Sequence, residues 1–136
     1  MEWTNGDYLL TDDPSRLDLD AICLLLADSY WANNRPRNVM ERAVKNSVCV
    51  GLFRGNVQVG FARAVTDRAT FSWICDVIIR SGHRRKGLGK WMVKCFLEHP
   101  ALRNTTQVLR TKDAHGLYEK FGFERVEYLR RSPKPA

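Results

Sequence analysis

Apolar and polar residues follow one another along this chain in two patterns, one typical of strands and one typical of helices. Short apolar runs rich in Val, Ile, Phe and Ala, bounded by turn residues, predict strands over residues 7–11, 47–53, 58–66, 70–79, 107–111 and 123–129. Helical spacing of apolar residues predicts a first helix over residues 19–30. Further helices are predicted over residues 36–46, from Leu88 to a stop at Pro100, and over residues 114–121 with Asp113 as N-cap.

The order of these elements, β-α-α-β-β-β-α-β-α-β, predicts an α/β fold with a mixed sheet flanked by about four helices. A short turn at residues 54–56 requires its two strands to be antiparallel. The strand–helix–strand unit that follows favours a parallel pair. A chain of 136 residues is the size of one ordinary domain, so we expect residues 1–136 to form a single unit with its site inside it.

Composition narrows the class of protein. A hydrophobic fraction of 44% argues against disorder, and no run approaches the roughly 18 apolar residues that cross a bilayer. No export signal is recognised, so we expect a cytoplasmic protein without a membrane partner. The four cysteines lie singly in apolar segments, with no Cys-x-x-Cys pair and no His at ligand spacing. This pattern predicts free thiols and no metal site.

The formal net charge of +7 is compatible with nucleic acid or with any other polyanionic ligand. Its clustering is more informative than its size. One group of basic residues surrounds a glycine turn, and a second lies in the tail, where a solvated surface is the plainer interpretation. Aromatic and basic residues do not alternate as they do in RNA-recognition modules, so we expect no nucleic-acid partner.

The first basic group lies where a strand meets a helix. An apolar strand ends at Ile79, two glycines follow at Gly87 and Gly89, and a helix begins there. Free backbone N–H groups and the positive end of the helix dipole favour a phosphate at such a junction. Trp91 follows Lys90 where a P-loop needs a hydroxyl, and no dinucleotide-binding fingerprint is present. The pattern therefore predicts a general anion site.

A second motif makes the prediction more specific. The basic glycine turn, Arg84-Arg85-Lys86-Gly87-Leu88-Gly89, is followed about 30 residues later by Asp113-Ala114-His115-Gly116-Leu117-Tyr118-Glu119-Lys120-Phe121-Gly122-Phe123. Together and in this order, the two motifs resemble the GCN5-related N-acetyltransferase (GNAT) superfamily over residues 51–127. The resemblance implies a six- or seven-stranded mixed sheet whose two central parallel strands splay apart around acetyl-coenzyme A.

The resemblance also implies where the co-substrate binds. The pyrophosphate would lie on backbone N–H groups from Arg85 to Lys90, and the pantetheine arm would pair with the preceding strand. The predicted cofactor-binding residues are Val77, Ile78, Ile79, Arg84, Arg85, Lys86, Gly87, Leu88, Gly89, Lys90, Tyr118 and Phe121. A backbone N–H near Val77 would polarise the thioester carbonyl as it gains negative charge. No metal is expected.

Two residues are predicted to be catalytic. Tyr118 occupies a position where such enzymes often place a phenol that donates a proton to the departing thiolate, although packing in the core is the alternative. Asp76 resembles an acidic residue common in this strand and is the candidate general base, with a structural or positioning role as the alternative. Trp73 and Cys75 replace the Glu found in some members, which puts direct carboxylate catalysis in doubt. His83 and His115 remain ambiguous.

The acceptor is expected to contact the connection between the first two helices and the strands that face it. The resemblance places Tyr30, Trp31, Arg63 and Trp73 there, together with Asn33, Asn34 and Arg35. We predict an acetyl-CoA-dependent N-acetyltransferase that transfers acetyl directly to a primary amine of a small molecule or peptide in a ternary complex. The alternative is a non-catalytic module that binds acyl-CoA or nucleic acid. A homodimer is expected because small members commonly pair.

Overall fold

The computed structural model describes residues 1–84 and 86–134, and it shows a six-stranded mixed sheet flanked by four helices. The strands are β1 (Glu2–Asn5), β2 (Tyr8–Thr11), β3 (Val48–Arg54), β4 (Val57–Thr66), β5 (Phe71–Ile79) and β6 (Thr106–Leu109). The helices are α1 (Leu19–Ala27), α2 (Arg37–Lys45), α3 (Leu88–Leu97) and α4 (His115–Glu119). Strand order in the sheet follows the sequence, and of the pairs formed by the described residues only β5–β6 is parallel. The predicted mixed sheet and the β3–β4 hairpin are confirmed.

Two apolar clusters cover the two faces of the sheet. One face packs against α3, whose Met92 and Phe96 are almost completely buried among residues such as Leu52 and Val59. The other face packs against α1 and α2. Because β3 and β4 lie in the middle of the sheet, their side chains are buried on both faces, which explains why their sequences are continuously apolar. In the part of the chain that the structure describes, no helix is long and apolar enough to span a bilayer.

The parallel strands separate after a short contact. Residues Phe71–Ile74 of β5 pair with Thr106–Leu109 of β6. Strand β5 then continues to Ile79, paired with β4 and no longer with β6. On its other edge β5 contains a bulge, since Arg63 pairs with Cys75 while Phe61 pairs with Ile78. Asp76 lies inside the bulge with φ of 53°, a left-handed conformation that is uncommon for a residue other than glycine. The sheet is therefore open between β5 and β6, as a splayed pair requires.

The predicted strand over residues 123–129 is wrong, because residues 123–134 form no strand. Side chains attach this C-terminal segment to the sheet: Phe123 packs on Tyr118 and Tyr128 packs on Trp73. Val126 and Leu129 remain 66% and 96% exposed, so the apolar pattern does not correspond to a buried face. An apolar run forms a strand only where a neighbouring backbone completes its hydrogen bonds, and no such ladder forms with β6 here.

Strand β1 is not predicted by the apolar pattern, because only its Trp3 packs against the core. It pairs with β2 through a two-residue turn at Gly6-Asp7, where Gly6 has φ of 58°. The Asn5-Gly6 dipeptide is the sequence signal for such a turn, since it accommodates positive φ. The described sheet thus has six strands, as many as predicted, because β1 is added at the N-terminus and the predicted strand over residues 123–129 is absent.

Two predicted helix ends also shift. Helix α1 stops at Ala27 rather than Tyr30, because Ser29 Oγ donates a hydrogen bond to the Leu26 carbonyl at 2.7 Å. Helix α4 begins at His115 with Ala114 as its N-cap, so Asp113 is not the cap. The Ala114 N–H instead donates to Thr111 Oγ1 at 3.0 Å.

Candidate active site

A cavity of about 660 Å³ fills the gap between the splayed ends of β5 and β6. We call it the splay cavity. Its walls come from β5, from the segment after β6, from α4, from the C-terminal segment and from the α1–α2 connection. It brings together residues from three predicted groups: the catalytic residues Tyr118 and Asp76, the pantetheine-contacting residue Val77, and five of the seven acceptor-side residues, Tyr30, Trp31, Arg35, Arg63 and Trp73. Asn33 and Asn34 do not line it.

Asp76 is the most heavily bonded side chain in the splay cavity. Its Oδ2 accepts hydrogen bonds from Arg63 Nε at 2.8 Å and from an Arg35 guanidinium nitrogen at 2.9 Å. Its Oδ1 accepts from Trp31 Nε1 at 3.0 Å. Arg63 also donates to Ser47 Oγ at 3.1 Å. Through this one buried carboxylate, the bulge of β5 is therefore bonded to β4 and to the α1–α2 connection.

The surroundings of Asp76 keep it ionised. Burial alone raises the pKa of this carboxyl, but the charges and hydrogen bonds of Arg63 and Arg35 outweigh burial and lower the pKa below its ordinary value. For Arg63, burial lowers the pKa, and the neighbouring Cys75 and Asp76 reverse that effect and raise it. The group is thus a buried ion pair in which both carboxylate oxygens already accept hydrogen bonds.

Aromatic rings form two sides of the splay cavity. On the α1–α2 connection, Tyr30 and Trp31 meet edge to face with ring centroids 5.1 Å apart. On the sheet side, Trp73 and Tyr128 meet edge to face at 6.1 Å. The Lys112 ammonium lies 5.3 Å from the centre of the Tyr30 ring. Aromatic rings and arginines together therefore line the splay cavity, and Lys112 lies next to it on Tyr30.

Tyr118 projects from α4 into the gap between the parallel strands. Its ring packs edge to face on Phe123 at 5.7 Å, and it is half-buried against the α3-side core. Burial raises the pKa of its phenol above the ordinary value, so the hydroxyl remains protonated at neutral pH. Among residues 1–84 and 86–134, no hydrogen-bond partner occupies that hydroxyl. It is free to donate to a bound molecule.

The glycine turn lies at the far end of β5 rather than in the splay cavity. Gly87 is the N-cap of α3 with φ of 72°, a conformation that needs glycine, and no acidic residue lies in the first turn of the helix. A side chain built at Gly87 would meet nothing within 4 Å, so its surroundings are open. Leu88 is buried and anchors the helix start. The first N–H groups of α3 are therefore accessible to an anion.

The remaining predicted residues of the turn differ from one another. Arg84 Nε donates to the Ile79 carbonyl at 2.7 Å, so this side chain closes the end of β5. Lys86 and Lys90 are exposed, and Gly89 faces the Ile79 side chain. Arg85 lies outside the residues that the structure describes. The turn thus places the exposed Lys86 and Lys90 beside the start of α3, whereas the side chain of Arg84 is bonded to the end of β5.

Three predicted cofactor-binding side chains point elsewhere. Ile78 belongs to the α1-side cluster and Ile79 to the α3-side cluster, so only their backbone is available to a ligand. Phe121 lines a neighbouring cavity of about 780 Å³ beneath the C-terminal segment, which also contains His115. Tyr118 lies between that cavity and the splay cavity.

The geometry matches what the comparisons with known proteins find. Residues 45–125 match the family model of the acetyltransferase (GNAT) domain. The chain belongs to the GNAT family. A relative from Gibberella zeae, named as a candidate acetyltransferase, is 33% identical over 88% of this chain and 80% of its own length. A histone acetyltransferase of Glycine max is 29% identical over 79% of this chain, but the match spans only 51% of that protein.

Solved GNAT structures share the fold. A GNAT-family protein of Xanthomonas campestris superposes with a TM-score of 0.87 at 34% identity, covering 93% of each chain. Glucosamine-6-phosphate N-acetyltransferase of Arabidopsis thaliana superposes with a TM-score of 0.69 at 14% identity, covering 93% of this chain and 97% of that one. The second similarity shows the fold alone. The protein is thus an acetyltransferase of the GNAT family, in the transferase class.

Several residues of this GNAT site are not identified by sequence. Tyr8 donates or accepts a hydrogen bond at 2.8 Å with His83 Nδ1, which ties the glycine turn to β2. Tyr128 enters the splay cavity from a segment whose pattern predicts a strand. His99 Nε2 lies 2.7 Å from Asp12 Oδ2, and both residues line a different cavity. No local pattern reveals contacts between residues this far apart in sequence.

Proposed function

We propose that this GNAT domain is an acetyl-CoA-dependent N-acetyltransferase that acts directly on a primary amine in a ternary complex. The observation that supports it best is the splay cavity, where Tyr118 faces the unpaired end of β5. The proposal places donor and acceptor in one opening, so that the amine attacks the thioester without a covalent enzyme intermediate. A small molecule is the proposed acceptor, because the cavity volume is of the size typical for small ligands.

The glycine turn fits the pyrophosphate of the co-substrate. The accessible start of α3, the positive φ of Gly87 and the exposed Lys86 and Lys90 are what a phosphate needs for close approach. When bound, acetyl-CoA supplies the activated acetyl group as a thioester. Residues Arg84 to Lys90 would hold its phosphates, with Arg85 contributing as the sequence predicts.

Strand β5 would position the pantetheine arm. Beyond Ile74, no strand of the described residues lies beside the edge of β5 that faces β6, so its backbone is open to an added strand-like partner. The bulge at Asp76 changes the direction of the backbone just before Val77. We assign to this region the N–H that stabilises negative charge on the thioester carbonyl oxygen.

Tyr118 would act as the general acid. Its raised pKa keeps a proton on the phenol at neutral pH, and its hydroxyl is free to reach the departing sulfur. The proton would pass from the phenol to the thiolate as the carbon–sulfur bond breaks, and the amide forms at the same carbon.

The geometry favours a positioning role for Asp76 over the base role. A general base needs a free lone pair and a pKa near the working pH, whereas Asp76 has a lowered pKa and accepts three hydrogen bonds. We propose that it fixes Trp31, Arg35 and Arg63 beside the acceptor. The proton of the amine would then leave to water, and the Tyr118 phenolate would regain a proton from water.

Assembly and location are part of the same proposal. The outer edge of β6 is unpaired among the described strands. Val126 and Leu129 are exposed on the C-terminal segment, and Val126 and Tyr128 of that segment line a cavity together with residues 106–109 of β6. A second copy of this chain that covers this edge would form the predicted homodimer. The cytoplasm remains the predicted location, in keeping with four free cysteines.

The test is release of free coenzyme A thiol when the protein, acetyl-CoA and a panel of primary amines are mixed. The proposal predicts thiol release that depends on both protein and amine. Tight acetyl-CoA binding with no turnover on any amine would instead favour a non-catalytic acyl-CoA-binding module. Light scattering of the same sample reports whether the chain is a dimer.

A further inference from the structure

We propose that the acceptor of this enzyme is an amine that also carries an anionic group, a carboxylate or a phosphate, bound by arginines of the splay cavity. This inference rests on the proposed function and specifies its substrate class. Its basis is the charge of the cavity wall: five arginines and two aspartates line it, a formal excess of three positive charges.

Two of the five arginines are already neutralised in part. Arg35 and Arg63 share the single carboxylate of Asp76 through hydrogen bonds of 2.9 Å and 2.8 Å. One carboxylate for two guanidinium groups leaves one positive charge in excess at this buried position. An acceptor anion near it would be stabilised more than in water, since the local dielectric constant is lower.

The other three arginines have no partner among the described residues. Across residues 1–84 and 86–134, no carboxylate lies within 4.0 Å of the charged nitrogens of Arg110, Arg130 or Arg131, and these side chains donate no hydrogen bond. All three are exposed and line the same cavity. The remaining acidic group at the cavity, Asp113, is a single charge facing them. A guanidinium offers paired N–H donors that match a carboxylate or a phosphate, so an anionic acceptor completes this set.

The same charges disfavour a purely cationic acceptor. An ammonium group with no compensating anion would enter a field of net positive charge, and so would a lysine-rich peptide. An acceptor with its own anion avoids this repulsion. The field also lowers the pKa of the bound ammonium, which favours the uncharged amine that attacks. The excess of arginine would thus serve both selection of the acceptor and its deprotonation.

The aromatic walls set the size of the acceptor. Tyr30 and Trp31 cover one side, and Trp73 and Tyr128 the other. A compact carbon skeleton between amine and anion fits between these surfaces, with the amine toward Tyr118 and the anion toward the C-terminal arginines.

The experiment compares matched acceptors that differ in one anionic group. Phenylalanine against phenylalaninamide tests the carboxylate, and O-phosphoethanolamine against ethanolamine tests the phosphate; a lysine-rich peptide represents cationic acceptors. We expect kcat/KM to be at least about tenfold higher for the anionic member of one pair, the size of one charge-assisted hydrogen bond. Saturation-transfer NMR with the same compounds and coenzyme A measures binding without turnover.

Variants assign the effect to the cavity. R110A, R130A and R131A should raise KM for the anionic acceptor and reduce the preference, while the lysine substitutions at these positions should restore part of it. R103A removes an exposed arginine outside the splay cavity and should leave the preference unchanged. Equal or better use and binding of phenylalaninamide, ethanolamine or the peptide, none of which offers the tested anionic group, would overturn the inference. Selective binding of anionic amines with no acetylation would uphold the inference and contradict the proposed function.

Discussion

Arg63 Nε donates a hydrogen bond to Asp76 Oδ2 at 2.8 Å, and this contact joins β4 to the bulge of β5. Arg35 reaches the same oxygen from the α1–α2 connection. Since the Asp76 side chain is only 1% exposed, its charge is stabilised almost entirely by protein groups. Asp76 therefore joins both arginines to the wall of the splay cavity.

Replacing this carboxylate by an amide should destabilise the protein. D76N leaves two guanidinium groups around a neutral side chain, and we expect a loss of about 3 kcal/mol in the free energy of unfolding, typical of a broken buried ion pair. Urea denaturation measures it. The control is D20N, which removes the exposed partner of Arg37 and should leave the transition nearly unchanged. Equal transitions for the two variants would show that the ion pair contributes nothing.

The Asp76 ion pair also predicts a direction of pH dependence. The folded protein lowers the pKa of Asp76 below its ordinary value of 3.8, so the unfolded chain binds the proton more tightly. Acidification through that range therefore favours unfolding, and the stability from this group is fully present above it. The difference in unfolding free energy between wild type and D76N should be constant near neutral pH and shrink as the pH falls below about 4. A difference that grows on acidification would contradict the lowered pKa.

Removal of the Tyr118 hydroxyl should affect turnover and little else. Y118F keeps the ring that packs on Phe123, and the lost hydroxyl has no partner among the described residues. We expect kcat to fall by about 10²-fold, the lower range for a lost general acid. The acetyl-CoA dissociation constant and the unfolding free energy should not change. Unchanged kcat would remove Tyr118 from the mechanism, and an unfolding change as large as that of D76N would indicate a structural role.

A carboxylate at the glycine turn should block co-substrate binding. G87E places a negative charge at the start of α3, where the proposal puts the pyrophosphate, and calorimetry should show acetyl-CoA affinity reduced by at least tenfold, about 1.4 kcal/mol. G55E is a matched control, because Gly55 has a similar φ of 59° and equally open surroundings in the β3–β4 turn. It carries the same backbone strain away from the site. A similar loss of acetyl-CoA affinity in both variants would show that backbone strain, and not the charge at the glycine turn, causes the effect.

The central part of the fold and site could be predicted from sequence because its signals are local. Residues close together in sequence determine strand β5, the glycine turn that follows it and helix α3. Tyr118 and Asp76 are identified through their motifs, and the splay cavity places both on its walls. For these elements the local sequence pattern predicts the observed structure, because each of them packs one of its faces into the core.

The remaining features depend on contacts between distant residues. Residues 123–129 have a strand-like pattern, but a strand needs a neighbouring backbone, and side-chain packing of Tyr128 on Trp73 positions the segment instead. Arg130 and Arg131 look like an ordinary solvated tail until the fold brings them to the splay cavity. The role of Asp76 similarly depends on Arg35, 41 positions away in sequence.

The most direct test of the account is mass spectrometry of amines incubated with acetyl-CoA and the wild-type protein, with G87E as the comparison. The wild-type protein should form an N-acetylated amine together with an equal amount of free coenzyme A, and G87E should form little of either. No acetylated protein intermediate should be detected. If the wild-type protein binds acetyl-CoA but forms no acetylated product from any amine in the panel, the assignment of an N-acetyltransferase activity is contradicted.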